Sequence, residues 1–160
     1  MTDHYHHDII SINPASVDLG PDAPFRFRRY LPGEPGESTH DLRLAESIRL
    51  RGVIHPPLFV AGLDPNRQFP VLVSGFRRIA AARSSGRSSM NAAFLTIDKS
   101  LIGSIVALWL EDIPFGEQPS ELENILIIEK AFGLFADTRT PWLERAFARK
   151  LSEGHVVRLR

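Results

Sequence analysis

The sequence predicts an α+β fold, a small mixed sheet with helices followed by a helical extension. Two observations predict it: short apolar runs alternate with amphipathic segments as far as Ile97, and from Lys99 onward only helical patterns occur. The 160 residues are the length of one domain, and 43% hydrophobic residues are enough to bury a core.

Four apolar runs are typical of strands. The two prolines of VIHPP exclude a helix before the second run, and a turn over Leu63–Gln68 joins the second and third, either as a hairpin or as neighbours in the sheet. The predicted strands are Ile9–Ile12, Pro57–Ala61, Phe69–Ser74 and Asn91–Ile97.

Helical patterns fill most of the remaining chain. In the first helix, Leu42, Leu44, Ala45 and Ile48 form an apolar face, and Gly52 ends it. The predicted helices are Asp41–Gly52, Phe76–Ser85, Leu101–Asp112, Ser120–Ala136 and Pro141–Ser152. We therefore divide the chain into an N-terminal strand and basic-aromatic loop (1–40), a core (41–117), and a helical extension (118–160) that is also readable as the start of a following domain.

Composition excludes several classes of function. Nineteen Lys and Arg balance nineteen Asp and Glu, so any basic surface must be local. The absence of cysteine excludes disulfides and thiolate metal sites. The N-terminus lacks an apolar signal segment and Leu101–Leu110 is too short to span a bilayer, so we expect a cytoplasmic protein with no membrane partner.

The stretch VLVSGFRRIAAARSSG (Val71–Gly86) predicts a phosphate site. A strand that turns through Gly75 into a helix leaves backbone N–H groups at the helix start, where the helix dipole favours negative charge. Arg77 and Arg78 add two positive charges there. The alternative is a solvated helix start whose glycine serves only the turn.

Two stretches in order carry a family resemblance. LAESIRLRGVIHPPLFV (Leu44–Val60) resembles the helix, G-x-x-x-Q-P-I segment and strand of the N-terminal domain of ParB-type partition proteins, and Val71–Gly86 resembles its G-E-R-R-x-R-A box. The N-terminal domain of ParB-type proteins belongs to the ParB/sulfiredoxin superfamily, which includes ParB-like nuclease domains. The resemblance covers most of the chain, from Ile9 to Ala131.

A third family signature is a Glu-Asn pair at the end of a helix. Two places match it, Glu111-Asp112 and Glu123-Asn124. We assign the pair to Glu111-Asp112, because PSELENILIIEKA (Pro119–Ala131) resembles the helix that follows the pair in the family.

The resemblance implies a domain that binds CTP or ATP with Mg²⁺, in a DNA partition or transcriptional regulatory protein that contacts DNA through another domain; a homodimer is compatible with it. It implies that Glu111 aligns or activates water and that Asp112 helps to hold the metal. The nucleotide-binding residues it implies are Gly52, His55, Pro56 and Pro57 on the base and ribose side, Ser74, Gly75, Phe76, Arg77 and Arg78 at the phosphates, and Arg26, Arg28 and Arg29 in a basic segment near the triphosphate.

That basic segment, FRFRRY (Phe25–Tyr30), has two interpretations. It contacts nucleic acid by stacking and charge, or it folds over the core with its aromatics buried and its arginines lining the nucleotide site. We favour the second.

Four positions depart from the family pattern: Pro56, Phe76, Ala80 and Phe115 stand where glutamine, glutamate and two arginines are expected. Losing groups that pair with a ligand alters selectivity. Slow nucleotide hydrolysis, a phosphotransferase or nuclease of the same superfamily, and a degenerate interaction module without catalysis therefore all stay open.

Overall fold

The structure is a computed structural model that describes residues 7–63, 70–98 and 118–135, together with 105 and 109. The chain divides into two compact units, Met1–Asp98 and Lys99–Arg160. The domain divisions predicted at 40 and 117 stay predictions.

The first unit contains a four-stranded mixed sheet. Its strands are β1 (His7–Ile12), β2 (Leu58–Ala61), β3 (Val71–Ser74) and β4 (Met90–Thr96), in the order β1-β4-β2-β3. β1 is antiparallel to β4, β4 is parallel to β2, and β2 is antiparallel to β3. The predicted mixed sheet is thus confirmed, and the second and third strands pair directly with each other, as the hairpin alternative requires.

Two helices of this unit, α1 (Thr39–Arg51) and α2 (Phe76–Ser84), contact each other. Ile79 and the three alanines at 80–82 of α2 are buried, and such short side chains let a helix approach its neighbours closely. In the sheet, the rings of Phe59 and Phe94 stack with centroids 4.9 Å apart. The core therefore lies around α2 and the central strands.

The start of α1 differs from the prediction. The helix begins at Thr39, and the expected apolar face is wrong at Leu42, which is 54% exposed, whereas Asp41 is only 4% exposed. The cause is a capping box: the Ser38 hydroxyl accepts from the Asp41 N–H, and the Asp41 carboxylate accepts from the Ser38 N–H. This box makes Asp41, and not Leu42, a buried residue of the first turn.

In the second unit, Ile105 and Trp109 are helical and buried, and α3 (Glu121–Phe135) matches the helix predicted from Ser120. The predicted helix Pro141–Ser152 and the rest of Leu101–Asp112 lie outside the described residues. None of the helices in the described part combines the length and apolarity that crossing a membrane requires.

Candidate functional site

The junction between β3 and α2 is built on a glycine. Gly75 has φ +108°, and a Cβ there would lie 2.5 Å from the Cβ and 2.8 Å from the Cα of Pro57. Glycine is therefore required both by the backbone conformation and by contact with Pro57. Because Gly75 supplies no capping side chain, the positive end of the α2 dipole favours an anion at this position.

Arg78, in the first turn of α2, binds the loop that precedes β2. Its Nη1 donates to the carbonyl oxygens of His55 (2.6 Å) and Pro56 (3.0 Å), and its Nη2 donates to Ser74 Oγ (3.0 Å). We call Ser74, Gly75, Arg78 and the loop His55–Pro57 the Arg78 cluster. Six predicted site residues are thus brought together.

The loop of the Arg78 cluster is itself anchored to the sheet. Pro57 is fully buried, and its carbonyl oxygen accepts from the Ala93 N–H of β4 at 2.8 Å. The His55 side chain is exposed, so His55 contributes its main-chain carbonyl to the contact with Arg78. The start of α2 and the loop before β2 are therefore held at the same place on the sheet.

Arg77, the other arginine of the motif, forms an ion pair with Asp41 of α1. Its Nε and Nη2 lie 2.7 and 2.5 Å from Asp41 Oδ1, and the exposed fractions of the two side chains are 16% and 5%. The sequence interpretation missed Asp41. The signal was present as the S-x-x-D pattern of Ser38–Asp41, which is typical of a capping box and places a carboxylate at the third helical position.

Two other predicted site residues, Phe76 and Gly52, have roles in the core and at a helix end. Phe76 is 7% exposed, so its ring belongs to the core and its main chain is the part available at the α2 start. Gly52 ends α1 with φ +76°, and its N–H donates to Ile48 O at 2.8 Å. The same Ile48 carbonyl accepts from Arg87 Nε at 3.2 Å.

The basic segment before α1 is organised by Arg26. This side chain is 6% exposed; it donates to the carbonyl oxygens of Leu19, of Arg28 (3.0 Å) and of Arg29 (3.1 Å), and its Nη2 lies 3.0 Å from Glu34 Oε2. Main-chain carbonyls and one carboxylate thus surround the guanidinium. In this conformation Arg26 holds its own loop together.

The neighbouring aromatics follow the favoured interpretation only in part. Phe25 is 1% exposed, as expected for a segment folded over the core, but Tyr30 is 42% exposed. The guanidinium carbon of Arg28 lies 4.9 Å from the Phe27 ring centroid, and that of Arg29 lies 5.2 Å from the Tyr30 ring centroid. The prediction that all the aromatics are buried is wrong, since Tyr30 stacks with an arginine at the surface.

The predicted acidic pair, Glu111 and Asp112, lies outside the described residues. In the rival pair, Glu123 forms a capping box with Ser120 at the start of α3: Ser120 N–H donates to Glu123 Oε2 (2.9 Å), and Ser120 Oγ accepts from Glu123 N–H (3.3 Å). Across the described ranges, no three His, Asp or Glu residues gather as a metal site would require.

The sequence matches no protein-family model and no curated protein. The structure is similar to that of a Pnob8-like ParB-N domain, with a TM-score of 0.53 and 14% identity, over 96% of this chain and 53% of that chain. A C-terminally truncated chromosome-partitioning protein ParB from Caulobacter crescentus, complexed with CTP-gamma-S, gives a TM-score of 0.47 and 22% identity over 93% of this chain and 74% of that one. The likeness to the first shows the ParB-N fold and confirms the predicted α+β class, and this chain spans about half of that chain's length.

Proposed function

We propose that this chain is a nucleotide-binding domain of a DNA partition or transcriptional regulatory protein, taking CTP or ATP with Mg²⁺. One observation carries the proposal: within the ParB-N fold, α2 starts at a glycine without a capping side chain and bears Arg77 and Arg78 in its first turn. Cations at a helix N-terminus oppose the dipole; Asp41 offsets the charge of Arg77, and a triphosphate at the α2 start would offset that of Arg78 as well.

The Arg78 cluster gives the proposed site its second wall. Arg78 fixes the His55–Pro57 loop beside the first turn of α2 through two main-chain carbonyls. A nucleotide with its phosphates at the α2 start would have its ribose and base near this loop and Gly52. Because Arg78 also contacts Ser74 Oγ, the Ser74 hydroxyl would lie next to the same phosphates.

Mg²⁺ is expected to arrive with the nucleotide. It commonly uses phosphate oxygens, waters and one or two carboxylates, and does not require a cluster of protein ligands. Asp112 would supply the carboxylate, and Glu111 would orient water if the nucleotide is hydrolysed. DNA would be contacted through another domain, and a homodimer is compatible with the proposal.

Isothermal titration of the full chain with CTP, ATP, ADP and GTP, with and without Mg²⁺, tests the proposal. We expect Mg²⁺-dependent binding of one nucleotide and an affinity at least about tenfold weaker in Arg78→Ala, since this variant loses a positive charge beside the phosphates and the contacts that hold the His55–Pro57 loop. Arg43→Ala is the matched control, because Arg43 is an exposed arginine of α1, and it should bind as the wild type does.

The remaining outcomes separate the alternatives. Release of inorganic phosphate during binding would add a hydrolytic or phosphotransfer activity. Equal affinity of Arg78→Ala and Arg43→Ala would place the phosphates elsewhere. No binding of any nucleotide by the folded wild-type chain would contradict the proposal and favour the interaction module without a ligand.

A further inference from the structure

The ion pair between Arg77 and Asp41 is enclosed and specific. Asp41 is 4% exposed, and its Oδ1 faces both Nε and Nη2 of Arg77 at 2.7 and 2.5 Å. The edge of a guanidinium formed by Nε and Nη2 is also one that binds a phosphate through two parallel hydrogen bonds. In this structure a carboxylate of the chain therefore occupies an anion-binding edge of Arg77.

The second oxygen of Asp41 connects the same pair to the start of α1. Oδ2 accepts from the Ser38 N–H and from the Ser38 hydroxyl, each at 3.1 Å, while Ser38 Oγ accepts from the Asp41 N–H. Asp41 thus joins the first turn of α2 to the capping box of α1. A change in what Arg77 binds must change the charge balance of that box.

We propose that Asp41 is an internal competitor for the phosphate-binding edge of Arg77, and that it sets the affinity of the site and couples its occupation to the first turn of α1. This inference rests on the proposed function for the identity of the anion. When a phosphate takes the Nε and Nη2 edge, Asp41 keeps its bonds to Ser38 but loses its counter-ion. Without ligand, the carboxylate neutralises Arg77 and lowers the positive potential at the α2 start.

A purely structural role and a competing role of Asp41 predict different effects of one substitution on anion binding. Asp41→Asn removes the negative charge and retains an oxygen that can accept from Ser38, so both roles predict a less stable protein. Only competition predicts stronger anion binding. We expect CTP with Mg²⁺, and separately inorganic tripolyphosphate, to bind the variant about tenfold more tightly than the wild type.

Two controls isolate the effect. Glu46→Gln removes one negative charge from the exposed side of α1 without touching Arg77, and should leave both affinities unchanged. Ser38→Ala removes the capping hydroxyl and should lower stability without the rise in affinity that Asp41→Asn gives. Circular dichroism establishes that each variant is folded before titration.

The pattern of results distinguishes this inference from the proposed function. Tighter binding by Asp41→Asn supports competition by Asp41. If Asp41→Asn binds a probe and the wild type binds neither, competition is supported, and only the proposed nucleotide binding by the wild-type chain is contradicted. Equal or weaker binding by Asp41→Asn, with binding by the wild type, would overturn competition and leave the proposed function standing. If neither the wild type nor a folded Asp41→Asn binds either probe, both are overturned.

If the Asp41→Asn variant fails to fold, a measurement on the wild-type chain tests the proposal instead. The amides of Asp41 and Leu42 are bonded to Ser38 Oγ and Ser38 O, and their hydrogen exchange reports on the first turn of α1. Faster exchange of these two amides at saturating CTP or tripolyphosphate supports loss of the contact between Asp41 and Arg77, because the first turn of α1 is then held only by the bonds of its capping box. When Asp41→Asn does not fold, unchanged or slower exchange at saturation, or no saturation of the wild type by either probe, overturns the proposal.

Discussion

Gly75→Ala is predicted to be strongly destabilising, for two separable reasons. The residue has φ +108°, where an L side chain is disfavoured by about 1–2 kcal/mol. The added Cβ would also lie 2.5 Å from Pro57 Cβ and 2.8 Å from Pro57 Cα, and overpacking of this kind costs about 1–3 kcal/mol. The free energy of unfolding should therefore fall by about 2–5 kcal/mol.

Gly86→Ala, just after the C-terminal end of α2, is the control. Gly86 follows α2 with φ +73°, and a Cβ there would meet no atom within 4 Å. This variant carries the backbone cost without the clash. The difference between the two losses of stability measures the contact with Pro57, and it should be about 1–3 kcal/mol.

Urea unfolding followed by far-ultraviolet circular dichroism gives both values, and hydrogen exchange of the β3 and α2 amides assigns them to the first unit. Tryptophan fluorescence is unsuitable, because Trp109 and Trp142 both belong to the second unit. Losses that agree within about 0.5 kcal/mol would refute the reasoning, since the loop would then yield to the Cβ without cost.

Three further predictions concern contacts away from this junction. Arg83→Ala removes the donors to the carbonyl oxygens of Pro14 and Val17, in and after the 3₁₀ helix at 14–16. The free energy of unfolding should fall by about 2 kcal/mol, and amide hydrogen exchange in this segment should become faster; unchanged exchange would contradict the prediction. Ser120→Ala removes the cap of α3 and should destabilise the second unit by about 1 kcal/mol, as read by tryptophan fluorescence, with no effect on exchange in β3. The hydrogen bond from Arg49 lowers the pKa of Glu46, so this pair stabilises the fold above the unfolded pKa of Glu46 and the contribution is lost as the pH falls through the lower folded value. Carboxyl NMR titration should show the Glu46 pKa rising in Arg49→Ala, and an unchanged value would refute the assignment.

The elements of the first unit were predictable because their signals are local. Strands were visible as apolar runs, and Gly52, Gly75 and Gly86 marked the helix ends. The start of α1 was not predicted, because an apolar pattern places Leu42 inward and gives no reason to bury a carboxylate. The capping box of Ser38 and Asp41 supplies that reason locally, but the charged partner Arg77 is 36 residues away in the sequence, and no periodicity within α1 can show that contact.

The candidate site was predictable only where its signals are local. Ser74, Gly75 and Arg78 were found because a strand, a glycine and a helix start define a recognisable turn. What Arg78 binds was not predictable, since its partners in the loop before β2 are main-chain carbonyls that any residue type would supply. Residue identity carries information about side-chain partners and very little about main-chain ones.

This difference changes how the arginines of the chain are interpreted. A sequence counts each guanidinium as a positive charge available to a ligand, yet Arg26, Arg78 and Arg83 donate to carbonyls of loops that have little secondary structure of their own. A ligand that drew such an arginine away would leave carbonyl oxygens without that donor, at a cost comparable to the free energy of its own hydrogen bonds to the arginine. Arg77 contacts a charged side chain, Asp41, which keeps its bonds to Ser38 when Arg77 turns to another anion. Arg26 also contacts a carboxylate, Glu34, but a phosphate that took Arg26 would leave the carbonyl oxygens of its loop without their donor, whereas at Arg77 it would replace Asp41 with a like charge.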